Sequence, residues 1–325
     1  MRVWFGTWIA RMPGEIKDAL LIYNPTSGRR RHRRFADIEQ AVRVLHDAGI
    51  RTELAPTASR GTANGIAMQA VEQRRGMVIA CGGDGTVNEV VNGLAGSHVP
   101  FALLPAGTAN ILAKELGIPW DIPRAARLIA GGAVRRIALG VVLSPEGKHT
   151  PEVPRGGRFF VSVAGAGPDG AIVNGVGDKL KKRAGQLAYW AEGFRQLVRY
   201  SFPEIRVRSA GEERIASIIV IGRTAHYGGP FKITTGASLF DDSFEMLTNS
   251  TRSRLRYVSC LPALLMGKLR NMKGIAAWKA TEVICEPAGS APVFAQADGE
   301  AIGALPLAFR ICPDALSIVT PAAPL

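Results

Sequence analysis

Between Asp18 and Leu116 the chain repeats one pattern: a short apolar run, a turn, then apolar residues at helical spacing. The runs DALLIYNP, RTELAPT, Met77–Ala80 and PFALLPAG read as strands. Between and after them, Phe35–Ala48, Thr62–Gln73, a segment from Val87 through Val90, Val91 and Leu94, and Ala109–Leu116 read as helices. Such alternation predicts an α/β domain, its parallel sheet covered by helices, over residues 1–135. Ligands bind such sheets beyond the carboxyl ends of the strands. The glycine-bearing turns NPTSGR, CGGDGT and PAGTAN all fall there.

The middle turn is the most informative. Gly82, Gly83 and Gly85 permit positive φ and leave no Cβ in a ligand's path. The first N–H groups of the following helix attract phosphate, because they lack internal partners and sit at the positive end of its dipole. Asp84 repels phosphate, and a bound Mg²⁺ removes the conflict by attracting both carboxylate and phosphate oxygens. The plainer alternative is a βα turn in which Asp84 or Thr86 caps the helix.

From about Val134 the texture changes. RRIALGVVL, RFFVSVAGAG, EIRVRSA, RIASIIVIGR, SFEMLTN, TEVICEP and LAFRICPDALSIV are strand-like. They predict a mainly antiparallel β-sandwich over residues 136–325, with room for the last strands to return to the first domain. GAGPDG at Gly165–Gly170 matches G-x-G-x-x-G, but its strand-rich flanks and Pro168 argue against a dinucleotide site. No G-K-[ST] and no G-x-S-x-G occurs, which removes Walker A and nucleophile-elbow chemistry.

A net charge of +13 asks for an anionic partner. The basic run GRRRHRR brings no helix-turn-helix, zinc-finger or RNP-like pattern with it, so nucleic acid is not expected. Basic residues mixed with apolar ones, in DKLKKRAGQLAYWAEGFRQLVRY and LPALLMGKLRNMKGIAAWKA, suit either an anionic lipid surface or a solvated helix face. No apolar run reaches the roughly 18 residues needed to span a bilayer. The opening MRVWFGTWIARMPGE, with Trp4 and Trp8, reads as an interfacial anchor or a dispensable extension. The cysteines, scattered without metal-ligand spacing, read as reduced core residues of a cytoplasmic protein.

Four motifs in order, NPTSG, GGDGTVNEVVNGL, PAGTANILAKELGIP and ADGE, resemble the diacylglycerol kinase catalytic family, bacterial lipid kinases that include relatives of the sphingosine and ceramide kinases. GGDGT also occurs in NAD kinases and phosphofructokinases, whereas NEVVNGL and the late DGE are similar to the lipid kinases. The resemblance implies ATP on the first domain, contacted by Asn24, Pro25, Thr26, Ser27, Gly28, Thr57, Gly82, Gly83, Asp84, Gly85, Thr86, Val87, Asn88 and Thr108. Arg29 and Arg30 are placed to reach the phosphates. It implies Mg²⁺ held by Asp84, and Asp298 and Glu300 as acceptor-side carboxylates, Glu300 being favoured as the base. ADGE alone would read as a hairpin turn.

SLFDDSFEML is similar to the family's structural Mg²⁺ loop, with Asp242 and the carbonyls of Leu239 and Phe244 as ligands, although Ser243 stands where a glycine is usual. The expected partners are a membrane lipid and the anionic inner face of the membrane, with peripheral attachment; a homodimer is left open. Diacylglycerol is the first substrate expected. A sphingoid base or ceramide, a soluble NAD or sugar-phosphate substrate, and a catalytically silent lipid-binding regulator are the alternatives.

Overall fold

The structure, a computed structural model, describes residues 16–28, 33–144, 153, 156–175, 200–228 and 231–322. Arg29, Arg30, the opening tryptophans and nearly all of the basic 178–200 stretch lie outside the described residues. The chain forms two compact units. One runs to Ile137 and resumes at Asp314; the other is Ala138–Pro313. The last strand residues therefore belong to the first unit, and the chain passes between units inside two strands.

The first unit contains β1 (Asp18–Tyr23), α1 (Arg34–Asp47), β2 (Arg51–Pro56), α2 (Thr62–Glu72), β3 (Val78–Gly82), α3 (Asp84–Leu94), β4 (Phe101–Pro105), α4 (Ile111–Glu115), α5 (Ile122–Ala130) and the start of β5 (Ala133–Leu143). Its strands lie in the order β2-β1-β3-β4 and pair in parallel. Every residue of β3 and β4 is buried, as continuous apolar runs in a covered parallel sheet require. Because β2 lies on one side of β1 and β3 on the other, the order reverses between β1 and β3. That switch point is where a doubly wound sheet opens a crevice. The turns NPTSG and CGGDGT leave the two strands that flank it.

The second unit contains the rest of β5, β6 (Arg158–Phe160), β7 (Val163–Ala166), α6 (Pro168–Gly175), β8 (Ile205–Ser209), β9 (Glu212–Ala216), β10 (Ile218–Gly222), β11 (His226–Tyr227), β12 (Phe231–Lys232), β13 (Phe244–Asn249), α7 (Arg254–Ser259), α8 (Leu261–Leu265), β14 (Ile275–Ala280), β15 (Glu282–Pro287), β16 (Phe294–Ala297), β17 (Glu300–Ala304) and the first half of β18 (Leu307–Thr320). One antiparallel sheet is ordered β14-β13-β10-β7-β16-β17; a second sets β15 between β18 and β8, with β9 beyond. Met246, Phe244, Ile219, Ile221 and Ala164 of the first meet Val283, Cys285, Val207 and Phe309 of the second in one apolar core. This is the predicted sandwich.

Two readings need adjustment. RFFVSVAGAG is not one strand: it breaks between β6 and β7, where the N–H groups of Val161 and Ser162 turn to a carboxylate discussed below. GAGPDG does open a helix, with Pro168 as its first residue, but β7 pairs antiparallel with both neighbours, so no βαβ unit surrounds it. Its glycines serve packing instead: a Cβ on Gly170 would lie 2.0 Å from the Phe294 carbonyl oxygen, and Gly167 has φ +106°.

Candidate functional site

In the first unit the three predicted turns are tied together by side chains. Asn24 Oδ1 accepts the Thr26 N–H at 2.9 Å, and Ser27 Oγ donates to the Asn24 carbonyl at 3.1 Å. The turn closes on Gly28, at φ +71°, where a Cβ would stand 2.2 Å from the Ala106 carbonyl oxygen. The buried Arg34 donates from Nη2 to the carbonyls of Ser27 (3.1 Å) and Ala106 (2.9 Å), joining the first turn to PAGTAN. Pro25 and Thr26 stand exposed at the tip.

CGGDGT and PAGTAN are laced more tightly. Asp84 accepts the Ile111 N–H at 2.7 Å on one carboxylate oxygen and the Asn110 N–H at 3.0 Å on the other. In return Asn110 accepts the Gly107 N–H on Oδ1 at 2.7 Å and donates from Nδ2 to the Gly82 carbonyl at 2.9 Å. A Cβ on Gly107 would lie 2.4 Å from Gly83 Cα, so the two backbones touch without room for one. Asp84 thus caps α4, not its own helix α3, whose N-cap Gly83 supplies no side chain. Burial pushes the Asp84 carboxyl upward, opposed by the N–H groups of Ile111 and Asn110 and by the Lys114 charge.

The structure places Gly82 through Thr86 at the uncapped start of α3, with Gly83, Gly85 and Thr86 half-buried. Thr108 is exposed in the facing turn, and Thr57 follows β2 with its N–H on the Tyr23 carbonyl. Val87 and Asn88 do not fit the nucleotide-lining role. The Val87 side chain is in the core and its N–H is bound to the Gly83 carbonyl; Asn88 is buried and accepts from Asn92 Nδ2. Their place in the motif is explained by α3 itself, which turns one face inward.

Sequence reasoning missed Glu89. Its two oxygens accept the N–H groups of Gly61 (2.8 Å) and Ala63 (3.1 Å), so it caps α2 from α3. Gly93 completes that contact, since a Cβ there would meet Asn64 O at 2.6 Å and Ala67 Cβ at 2.7 Å. NEVVNG is therefore in part a helix-docking signal.

In the second unit, Asp298 and Gly299 form a two-residue hairpin loop between β16 and β17, with φ of +48° and +77°. Both positive values identify a type I′ turn. The Asp298 carboxylate accepts three backbone N–H groups, from Val161 (2.9 Å), Ser162 (2.9 Å) and Val163 (3.0 Å). The Asp298 carboxylate so engaged fixes the β6–β7 connection, a structural role beside the acceptor-side one expected of it. Glu300, by contrast, is mostly buried at 14% exposure and its carboxylate is paired with the Arg158 guanidinium.

Behind this turn lies a polar relay outside the expected site set. Gln296 accepts the Gly299 N–H on Oε1 at 2.8 Å and donates from Nε2 to Asp169 at 2.7 Å. Tyr227 donates its hydroxyl to the other Asp169 oxygen. Burial pushes the Asp169 carboxyl up to about 6, and the Gln296 bond opposes it.

The residues of the Leu239–Phe244 loop do not fit the implied metal. Arg223 is completely buried and donates from Nη2 to the carbonyls of Leu239 (2.7 Å) and Ala138 (3.0 Å), and from Nη1 to those of Asp241 (2.7 Å) and Ser243. The Leu239 carbonyl expected on Mg²⁺ thus already faces a cation, as part of the protein, and Phe244 begins β13 in register with Ala280 of β14. The Asp242 and Asp241 charges support the guanidinium, which burial pushes down to about 10. Among the described residues, no cluster of three His, Cys, Asp or Glu could hold a metal.

Comparison with known proteins agrees across both units. The family model described as diacylglycerol kinase catalytic domain matches residues 18–142, and that described as YegS C-terminal NAD kinase beta sandwich-like domain matches residues 162–320. The chain is 31% identical over 273 residues to the diacylglycerol kinase of Bacillus subtilis (strain 168), spanning 82% of this chain and 85% of that relative. Over 235 residues it is 31% identical to the diacylglycerol kinase of Staphylococcus saprophyticus, spanning 71% and 72%. A crystal structure of a diacylglycerol kinase from Bacillus anthracis str. Sterne superposes with a TM-score of 0.73 at 20% identity, covering 94% of this chain and 98% of that one, which shows a shared fold.

Proposed function

The chain belongs to the diacylglycerol kinase catalytic family, and from that premise we propose that it phosphorylates a hydroxyl of a membrane lipid with ATP, diacylglycerol being converted to phosphatidic acid. The lacing of CGGDGT to PAGTAN is the observation that carries this reading. Asp84, Asn110 and Arg34 fix the backbones of three glycine turns, and the start of α3 is left without a side-chain cap. Rigid backbone N–H groups at a helix start suit triphosphate binding, because little reorganisation is needed when the anion arrives.

Phosphoryl transfer depends on positioning and charge neutralisation more than on covalent chemistry. Mg²⁺, when bound with ATP, supplies that neutralisation. Asp84 is the residue proposed to hold it through water, since each of its oxygens already accepts one N–H but keeps further acceptor capacity. Glu300 is proposed to accept the proton of the lipid hydroxyl, with Arg158 fixing its orientation. The lipid acceptor calls for peripheral attachment to the cytoplasmic face of a membrane, where the +13 charge meets anionic headgroups. None of the described helices is long and apolar enough to cross a membrane.

The test is labelled ATP and Mg²⁺ with the full-length protein and a panel of acceptors: diacylglycerol, a sphingoid base, ceramide and NAD. Labelled phosphatidic acid is expected. Label on NAD alone, or on none of them, would overturn the proposal.

A further inference from the structure

Helices α7 and α8 carry apolar residues on both sides. Tyr257, Cys260 and Leu264, with Met272 beyond the helices, pack inward on the cluster formed by Phe202, Ile218, Val220 and Leu247. That packing accounts for one face of each helix. Leu255, Val258, Leu265 and Met266 do not share it: they are 84%, 40%, 72% and 62% exposed. These four are among the few large hydrophobics exposed anywhere in the described residues, and they are gathered within twelve positions of the chain.

Along this stretch of chain the charged residues are all basic. From Arg252 to Lys273 there are six Lys or Arg and no Asp or Glu. Arg252 is paired with Glu204 at 3.1 Å and Arg270 with Glu245 at 3.1 Å. Arg254, Arg256, Lys268 and Lys273 are exposed and enter no ion pair among the described residues. Apolar side chains keep their hydration cost in water, and long basic side chains around them repel one another. An anionic lipid surface relieves both at once: the headgroups neutralise the cations, and the boundary with the acyl chains accepts Leu and Met.

We propose that the outward face of α7 and α8 is the surface by which this chain docks on an anionic lipid bilayer, with Leu255, Val258, Leu265 and Met266 entering the interface and Arg254, Arg256, Lys268 and Lys273 on the headgroups. The proposal rests on the lipid-kinase reading for its purpose, but its evidence is independent of the nucleotide turns. A second copy of this chain would bring the same positive charge to the same place, which disfavours a self-association face.

The experiment sediments the full-length protein with phosphatidylcholine vesicles, with and without phosphatidylglycerol. It compares wild type with Leu255→Ser/Leu265→Ser/Met266→Ser and with Arg254→Glu/Arg256→Glu/Lys268→Glu. Each triple variant is expected to lower partition onto the anionic vesicles at least about tenfold, with an unchanged thermal melt because none of these side chains is in the core. Undiminished partition of the apolar variant would overturn the proposal, as would failure of the wild type to bind anionic vesicles. A wild-type dimer that the apolar variant converts to monomer, with vesicle binding intact, would assign the face to a second copy and overturn it too. A parallel assay offers labelled ATP and a dispersed short-chain diacylglycerol, which needs no bilayer; all three proteins are expected to phosphorylate it equally. If none does while the vesicle pattern holds, the kinase reading fails and the docking face stands.

Discussion

Replacing Arg223 by Met keeps the length and apolar stem of the side chain and removes its fork of donors. Four carbonyl groups, those of Leu239, Asp241, Ser243 and Ala138, then lose their partner. Hydrogen bonds from a charged donor contribute about 1.5–3 kcal/mol each, so the gross interaction is on the order of 6–12 kcal/mol. Against this stands the cost of keeping the charge out of water. Burial pushes the guanidinium down to about 10 although the Asp242 and Asp241 charges oppose the shift; at about 1.4 kcal/mol per pH unit that net offset is roughly 3 kcal/mol. The carbonyls recover part of the loss through water entering the loop, so Arg223→Met is expected to destabilise the second unit by about 3–5 kcal/mol. In a unit of this size that lowers the melting temperature by roughly 10 °C. Arg223→Lys should cost less, because an ammonium still brings charge and three donors but cannot span the fork. Differential scanning calorimetry on wild type and both variants, each with Mg²⁺ and with EDTA, reads the effect. The wild-type melt should be the same in both conditions. An EDTA-sensitive wild type, or an Arg223→Met protein within about 1 kcal/mol of wild type, would show that the loop is held by something other than this arginine.

Gly107→Ala drives a Cβ into Gly83 Cα and should cost about 1–3 kcal/mol; raised KM for ATP with the melt lowered is the expected pair, and an unchanged KM would refute the link between the turns and nucleotide. Asp84→Asn turns an NH₂ against one of two N–H donors, so turnover should fall about 10²–10³-fold and stability by about 1–3 kcal/mol; near-normal kcat at saturating Mg²⁺ would refute its role. Glu300→Gln should lower kcat by about 10²–10⁴-fold in mixed micelles, with KM for ATP unchanged; a wild-type kcat would reduce DGE to a turn. Asp169, raised from 3.8 to about 6, favours the folded state most below the lower value and loses that contribution as pH rises through the higher one. Urea unfolding should therefore show Asp169→Asn gaining on wild type between about pH 4 and 6, by at most about 3 kcal/mol; a flat difference would refute it.

The sequence by itself determined the architecture of both units, since hydrophobic period and glycine punctuation are local. A short apolar run such as Met77–Ala80, closed by glycines, suits a covered strand, and Gly83 after it serves a turn that the Gly107 backbone approaches. The order of the turns also placed the candidate phosphate site, because in a parallel sheet every strand delivers its following turn to the same edge. Val161 shows where local reading stopped: the residues look continuous with the strand, but their N–H groups go to Asp298, more than 130 positions away. What only the tertiary structure decided is the employment of each polar side chain. Asp84 caps α4, Glu89 caps α2, Asp298 holds three N–H groups, and Arg223 occupies the loop where a metal was expected. A sequence shows which side chains carry charge, but the backbone donors and acceptors they meet are set by chain reversals far along the sequence. Inside a folded unit, where water no longer competes, whichever group the fold brings within hydrogen-bonding distance takes the bond.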